Sequence, residues 1–334
     1  MPPITVSDTW NSLFTTTSRE VMTEIADNIY NEFVTLKILE RRGSFRKDLA
    51  GGFEIALPVK YAKNTTIKAM SGYDTVDTSP QDDLTMSRWN WKMYSGSIVI
   101  SDEEMLKNSS DHQRINLLRE KTESAVESIR DALQTDIYTD ATSDPSKKVT
   151  PIPLIIDNAP TTTVGGISGN TNSWWQNNQN DVGAFGTNLY TDMITAMNSV
   201  SHGSTSHPDI GVFSQTGHEY FERFVTGISG TSGFRIPLNQ SETEDFGFSV
   251  FNFKGASIVW DPALASGMPV TGETLYLITS KYFFYFVHPQ ANFRVMPFER
   301  AEQQLARIGL LRHMCNLATN NRRKHSVQHG IDAS

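Results

Sequence analysis

The sequence predicts an α+β protein, and three observations carry that prediction. A period-two apolar ribbon follows Gly51-Gly52, a helix of about 28 residues follows the ribbon, and the C-terminal stretch is rich in strands.

The first element is an amphipathic helix over residues 18 to 42. Thr17 and Glu20 stand at capping-box spacing, and Val21, Ile25, Ile29, Phe33, Leu36 and Leu39 recur at helical intervals up to Gly43. After Gly51-Gly52 the period becomes two. Phe53, Ile55, Leu57, Val59 and Tyr61 alternate with Glu54, Ala56, Pro58 and Lys60, as in a half-buried strand, and Pro58 cannot donate to a ladder. The strand fades from Lys63 to Met70, breaks between Gly72 and Asp83, and returns from Thr85 to Ile100 with Trp89, Trp91, Met93, Ser97 and Val99 on one face. This reads as one long hairpin. A lone two-stranded ribbon is marginal in water, so its apolar face needs cover, and no neighbouring segment obviously supplies it.

Ser101 and Glu104 form a second capping-box pattern. After Asn108-Ser109-Ser110 a long helix runs from Asp111 to Tyr138, its stripe made by Ile115, Leu118, Thr122, Ala125, Ile129, Ala132 and Asp136, widened by Val126, Leu133 and Ile137. At about 1.5 Å per residue this is a spine roughly 40 Å long. Residues 141 to 186 are rich in Pro, Gly, Asn and Thr and read as irregular chain at a surface or interface. Leu189, Met193, Met197 and Val200 mark a helix, Asp209 to Phe213 a buried strand and His218 to Val225 another helix, a small α/β unit. Strands are expected over 246 to 260 and 274 to 287. Between Leu305 and Ala318 periodicity does not separate helix from strand.

Composition narrows the function. The chain has 334 residues, 38% hydrophobic and 20% charged, with a net charge of -8, which disfavours non-specific adhesion to nucleic acid or anionic membrane. Cys315 is the only cysteine, so no intrachain disulfide and no cysteine-based zinc site is expected. No apolar run approaches bilayer length, and MPPITVSDTW lacks a basic n-region and an h-region, so a soluble protein of a reducing compartment is expected.

Neither G-x-S-x-G nor H-E-x-x-H occurs, and no glycine loop is followed by G-K-[ST]. His218, Glu219 and Glu222 read as a solvated helix face rather than a metal site, and His325 and His329 as structural. No catalytic residue, metal or cofactor is expected. Trp89, Trp91, Trp174 and Trp175 suit protein contacts better than a sugar or base platform, given the enrichment of aromatics at interfaces. Arg322, Arg323 and Lys324 form the only compact basic cluster, read as inter-subunit ion pairing or a solvated strand end before DNA contact.

In order along the chain, the hairpin arm, the long helix, HPDIGVFSQTGHEYFERF, SIVWDPAL, LYLITSKYFFYFVHP, MPFE and NLATNNRRKHSVQHGI resemble the major capsid proteins of tailed bacteriophages (Caudoviricetes), which have the Hong Kong 97-like fold. TVGGI and SWWQN add to the likeness, which spans residues 18 to 331. The resemblance implies an N-terminal arm (1–43), an E-loop hairpin (44–100), a P-domain in two parts (101–186 and 276–334) and an A-domain (187–275). It assigns strand to 305–318.

By the same resemblance the chain is a non-enzymatic shell subunit. Copies would self-assemble as pentamers and hexamers of an icosahedral virion capsid around double-stranded DNA, without sequence-specific binding and away from membranes, in the host cytoplasm. Portal and decoration proteins would be further partners. Family scaffolding regions precede the arm, whereas this chain starts almost at it, so a separate scaffold or none is expected. The region before the last strands, FERAEQQLARIGLL, has no asparagine, so covalent chain-mail through Lys60, Lys63 or Lys68 is not expected. Inter-subunit contacts are expected at Phe53, Ile55, Leu57, Trp89, Trp91, Met93, Trp174, Trp175, Arg322 and Arg323, with a hinge at Gly51 and Gly52. An encapsulin-like nanocompartment shell is the alternative, and a glycan-binding surface protein using Trp174 and Trp175 is the second.

Overall fold

The computed structural model describes residues 34–47, 52–107, 111–140, 142–201, 206–226, 251–264, 272–301 and 304–332. The helix expected over 18–42 is described only at its end, as α1 (Val34–Arg41), and its capping pair Thr17 and Glu20 lies outside the described residues. α1 buries Leu36, Ile38 and Leu39 and stops at Gly43. Gly43 has a φ of 76°, and the amides of Gly43 and Ser44 reach back to the carbonyls of Glu40 (3.0 Å) and Leu39 (2.9 Å), the two bonds of a Schellman C-cap.

The short β1 (Phe45–Arg46) precedes a two-stranded ribbon of β2 (Glu54–Lys60) and β3 (Leu84–Asn90), in register from Glu54↔Asn90 to Lys60↔Leu84. Here the expected hairpin is corrected. It ends at Asn90, because Trp91 interrupts the ladder and β4 (Lys92–Ser101) belongs to another sheet. The break also resets the alternation: odd residues Ser87 and Trp89 are buried in β3, but even residues Lys92, Ile98 and Ile100 in β4. One slipped residue exchanges the two faces of everything beyond it.

Ser101 starts α2 (Asp102–Lys107) with the expected capping box: Glu104 N–H donates to Ser101 Oγ at 3.1 Å, and Ser101 N–H donates to Glu104 Oε2 at 3.2 Å. The spine follows as α3 (Asp111–Ile137), burying Leu118, Thr122, Val126, Ile129 and Leu133. The stretch read as irregular is built from short pieces: α4 (Ile152–Ile155), the hairpin of β5 (Thr163–Val164) and β6 (Ile167–Ser168), and β7 (Asn178–Ala184). Val149, Ile152, Ile155, Val164 and Trp175 are buried, so much of it packs into core, with short apolar runs too brief to carry a period.

α5 (Phe185–Ser201), β8 (Ile210–Phe213) and α6 (Gln215–Thr226) form the expected helix–strand–helix. β9 (Phe251–Phe253) and β10 (Ala256–Trp260) pair as a hairpin. The run 274–287, expected as one strand, is two: β11 (Glu273–Ile278) and β12 (Phe283–Val287), in different sheets. Asp209 fastens the crossing, its carboxylate accepting from Ser280 N–H at 2.7 Å and from the Ser280 hydroxyl. β13 (Arg294–Val295), β14 (Glu299–Arg300), β15 (Ala306–Thr319) and β16 (Ser326–Asp332) complete the chain, and β15 is the strand expected over 305–318.

Two six-stranded sheets organise these elements. In the main sheet β15 pairs with β4 on one flank, from Ala306↔Ser101 to Cys315↔Lys92, and with β12, β13 and β14 on the other. α3 packs on the β4 side, where a Cβ at Gly96 would sit 3.4 Å from Ile129 Cδ1. The second sheet runs β7-β16-β11-β8-β10-β9. Its membership cuts across the expected segments, since β7 and β16 come from stretches assigned elsewhere. The boundaries at 186/187 and 275/276 fall inside α5 and β11.

Candidate assembly interface

The ribbon divides into a base and a tip with opposite surroundings. At the base, Ile55 and Trp89 face each other in register, 0% and 2% exposed, within the main core. Gly165 makes this possible: it has a φ of 61°, and a Cβ there would lie 3.0 Å from the Trp89 ring. Its carbonyl accepts from Arg88 N–H at 2.9 Å, so the β5–β6 turn, the TVGGI motif, clamps β3. Trp89 Nε1 donates to Ser87 Oγ at 3.2 Å, which in turn bonds to Thr319 O at 3.3 Å.

These contacts correct the expectation that the ribbon's apolar face is bare. Ile55 and Trp89 are enclosed by their own chain and cannot serve a neighbour. The cover comes from Gly165, 76 positions beyond Trp89, and from Thr319, 232 positions beyond Ser87, separations that no local pattern reveals. Trp175 is buried too, its Nε1 donating to Val164 O at 3.0 Å. Trp174 stacks on Tyr61 at 5.4 Å and props the foot of the tip. One ring is buried and the other is half-buried and stacked on Tyr61, so the two do not present a paired stacking surface.

The basic cluster is also divided. Arg322 is fully buried, donating to Ile155 O at 2.8 Å, Leu154 O at 3.4 Å and Asn177 Oδ1 at 3.1 Å; burial pulls its pKa down to about 10. It caps the carbonyl end of α4 rather than meeting another subunit. Lys324 Nζ donates to Val200 O at 3.0 Å, leaving Arg323 as the exposed member. Leu57 and Trp91 are half-buried, with Trp91 edge-on to His288 at 5.7 Å. Phe53 and Met93 are exposed, at 94% and 58%. Gly52 has a φ of 111°, and Gly51 lies outside the described residues.

The tip comprises residues 61–83. Ile67, Met70, Tyr73 and Val76 are all exposed, and Leu84 and Met86 continue the apolar surface onto β3. Ile67 and Tyr73 are 81% and 104% exposed, large apolar groups left in water by their own chain. The available signal was apolar residues recurring inside a stretch otherwise made of Ser, Thr, Asp and Gly.

A second open feature lies on the body. β4 and α3 flank a groove of about 830 Å³, lined by Gly96, Ser97, Val99, Leu117, Ala125 and Ser128 among others. At the start of β4 Lys92 is buried, its ammonium paired with Asp144 at 2.9 Å and with Pro145 O, which ties the 144–150 loop to β4.

Solved structures share this architecture. A chain of the cyanophage A-1(L) capsid asymmetric unit matches with a TM-score of 0.63 at 12% identity, covering 90% of this chain and 93% of that one. A chain of the capsid of Myoviridae phage XM1 matches at 0.56 and 10% identity, over 86% and 89%. The holo-SrpI encapsulin complex of Synechococcus elongatus PCC 7942 matches at 0.53 and 11% identity, over 86% and 85%. No protein-family profile matches the sequence, and no curated protein does. The chain therefore has the Hong Kong 97-like fold of tailed-phage capsid chains, as the sequence resemblance implies.

Proposed function

We propose that this chain is a major capsid protein of a tailed phage, self-assembling into the icosahedral shell around a double-stranded DNA genome. The observation that carries the reading is the tip: large apolar residues held away from a body whose fold is that of capsid chains. Such a surface is satisfied on a neighbouring copy. Repeated around closed rings, modest contacts of this kind give a durable shell. Phe53, Leu57, Trp91, Met93, Trp174 and Arg323 remain the contact residues of this reading, Gly51 and Gly52 its hinge, and separate scaffold, portal and decoration proteins its further partners. No step of assembly requires catalysis.

The encapsulin likeness supports a second reading, a protein-filled compartment on the same fold. Particles purified from producing cells decide between them. Closed shells with nuclease-protected double-stranded DNA are expected; shells holding an enzyme support the second reading, and protein recovered only as monomer overturns both. In hydrogen exchange, residues 61–83 should exchange fast in isolated subunits and slowly in particles.

A further inference from the structure

The face of the main sheet opposite α3 carries an arrangement that no expectation anticipated. Odd residues of β4 pair with even residues of β15 there, giving the rows Met93↔Met314, Ser95↔Arg312, Ser97↔Leu310 and Val99↔Ile308. Arg312 also pairs with Arg294 of β13, so two arginines stand directly opposite each other on adjacent strands. Like charges at that spacing repel. Among the described residues neither has an acidic partner, and Arg312 Nε is buried without any hydrogen-bond acceptor. Among the described strand residues of the same face the one carboxylate, Glu299, pairs with Ile308, four residues and about 14 Å along β15 from Arg312.

We propose that Arg294 and Arg312 form a docking site for carboxylates on the hairpin tip of a second copy of this chain; the inference rests on the shell-subunit reading. Charge complementarity selects this occupant. Lys63 and Lys68 stand in the first half of the tip, whereas residues 71–83 contain Asp74, Asp77, Asp82 and Asp83 and no lysine or arginine. Asp83 is engaged by Lys60 at 3.4 Å, whereas Asp74 and Asp77 make only local turn bonds to Ser71 and Ser79. They stand beside exposed Tyr73 and Val76, so the tip alternates apolar and acidic groups. The receiving face does likewise: Met93 and Leu310, 58% and 46% exposed, flank the arginines. A phosphate backbone would satisfy the arginines and leave those apolar groups bare. Two guanidinium forks also suit paired carboxylates geometrically, since each can donate two parallel bonds.

A charge swap in the full chain tests the site. R294E/R312E should remain folded by circular dichroism yet raise the concentration needed for particle formation at least about tenfold. Adding D74R/D77R to the same chain should restore assembly. Should R294E/R312E fail to fold, R294Q/R312Q takes its place with the same readouts. Normal assembly of the arginine variant, or no recovery in the swap, overturns the proposal. Shells that close in normal yield but lose bound nucleic acid overturn it in favour of phosphate. Wild-type protein that never closes removes the shell reading itself, a different failure from closure that ignores these arginines.

Discussion

The base and the tip of the ribbon are made from one stretch of chain and obey opposite rules. At the base the alternation of β2 and β3 is spent inside the molecule, with Ile55, Val59 and Trp89 in the same core as the α3 stripe. At the tip apolar residues of similar size remain in water. Local hydrophobicity therefore does not say whom a residue serves. The partner across space does, and the TVGGI turn is that partner for the base alone.

The most severe way to break the contrast is at the base. Ile55→Asp or Trp89→Ala should destabilise the isolated subunit by about 3–5 kcal/mol, measured by urea unfolding, because each empties or charges a closed site. Acid attacks the body next. Burial holds His313 and His325 neutral, with pKa values lowered from 6.5 to about 3. The unfolded chain takes up their protons below pH 6.5 and the folded one does not until near 3. Stability is thus complete above 6.5 and declines as pH falls towards 3, by on the order of 2 kcal/mol per histidine at pH 5. His325→Gln should flatten that decline in unfolding curves recorded across pH 7 to 4. Gly165→Ala comes third, at about 1–2 kcal/mol for the left-handed backbone alone, and should loosen Trp89 in fluorescence and hydrogen exchange. The smallest effect on folding belongs to the tip: Tyr73→Asp with Val76→Asp should shift subunit stability by no more than about 0.5 kcal/mol while abolishing closure. A tip variant that unfolds the subunit, or a base variant that leaves it intact, would erase the distinction.

What could be read in the sequence was what short-range physics determines. The Ser101–Glu104 box, the helix from Asp111 and the helix–strand–helix around Ile210 each announce themselves within a few turns of chain. What escaped depends on pairing over long separations. Trp91 looks like one more residue of a strand, yet it is where the chain leaves one sheet for another and the faces exchange. Arg322 reads as an inter-subunit ion pair or a solvated strand end and is a buried cap for carbonyls 167 and 168 residues away in sequence. Arg294 and Arg312 are ordinary until the register sets them side by side.

The long ladder between β4 and β15 has a mechanical meaning. The tip's strand β3 runs through Trp91 straight into β4, and β4 is bonded rung after rung to β15 from Ala306 to Cys315. Tension drawn outward along the arm reaches that ladder lengthwise and spreads over many bonds at once instead of unzipping them singly. An arm so tethered can be pulled upon without being unravelled.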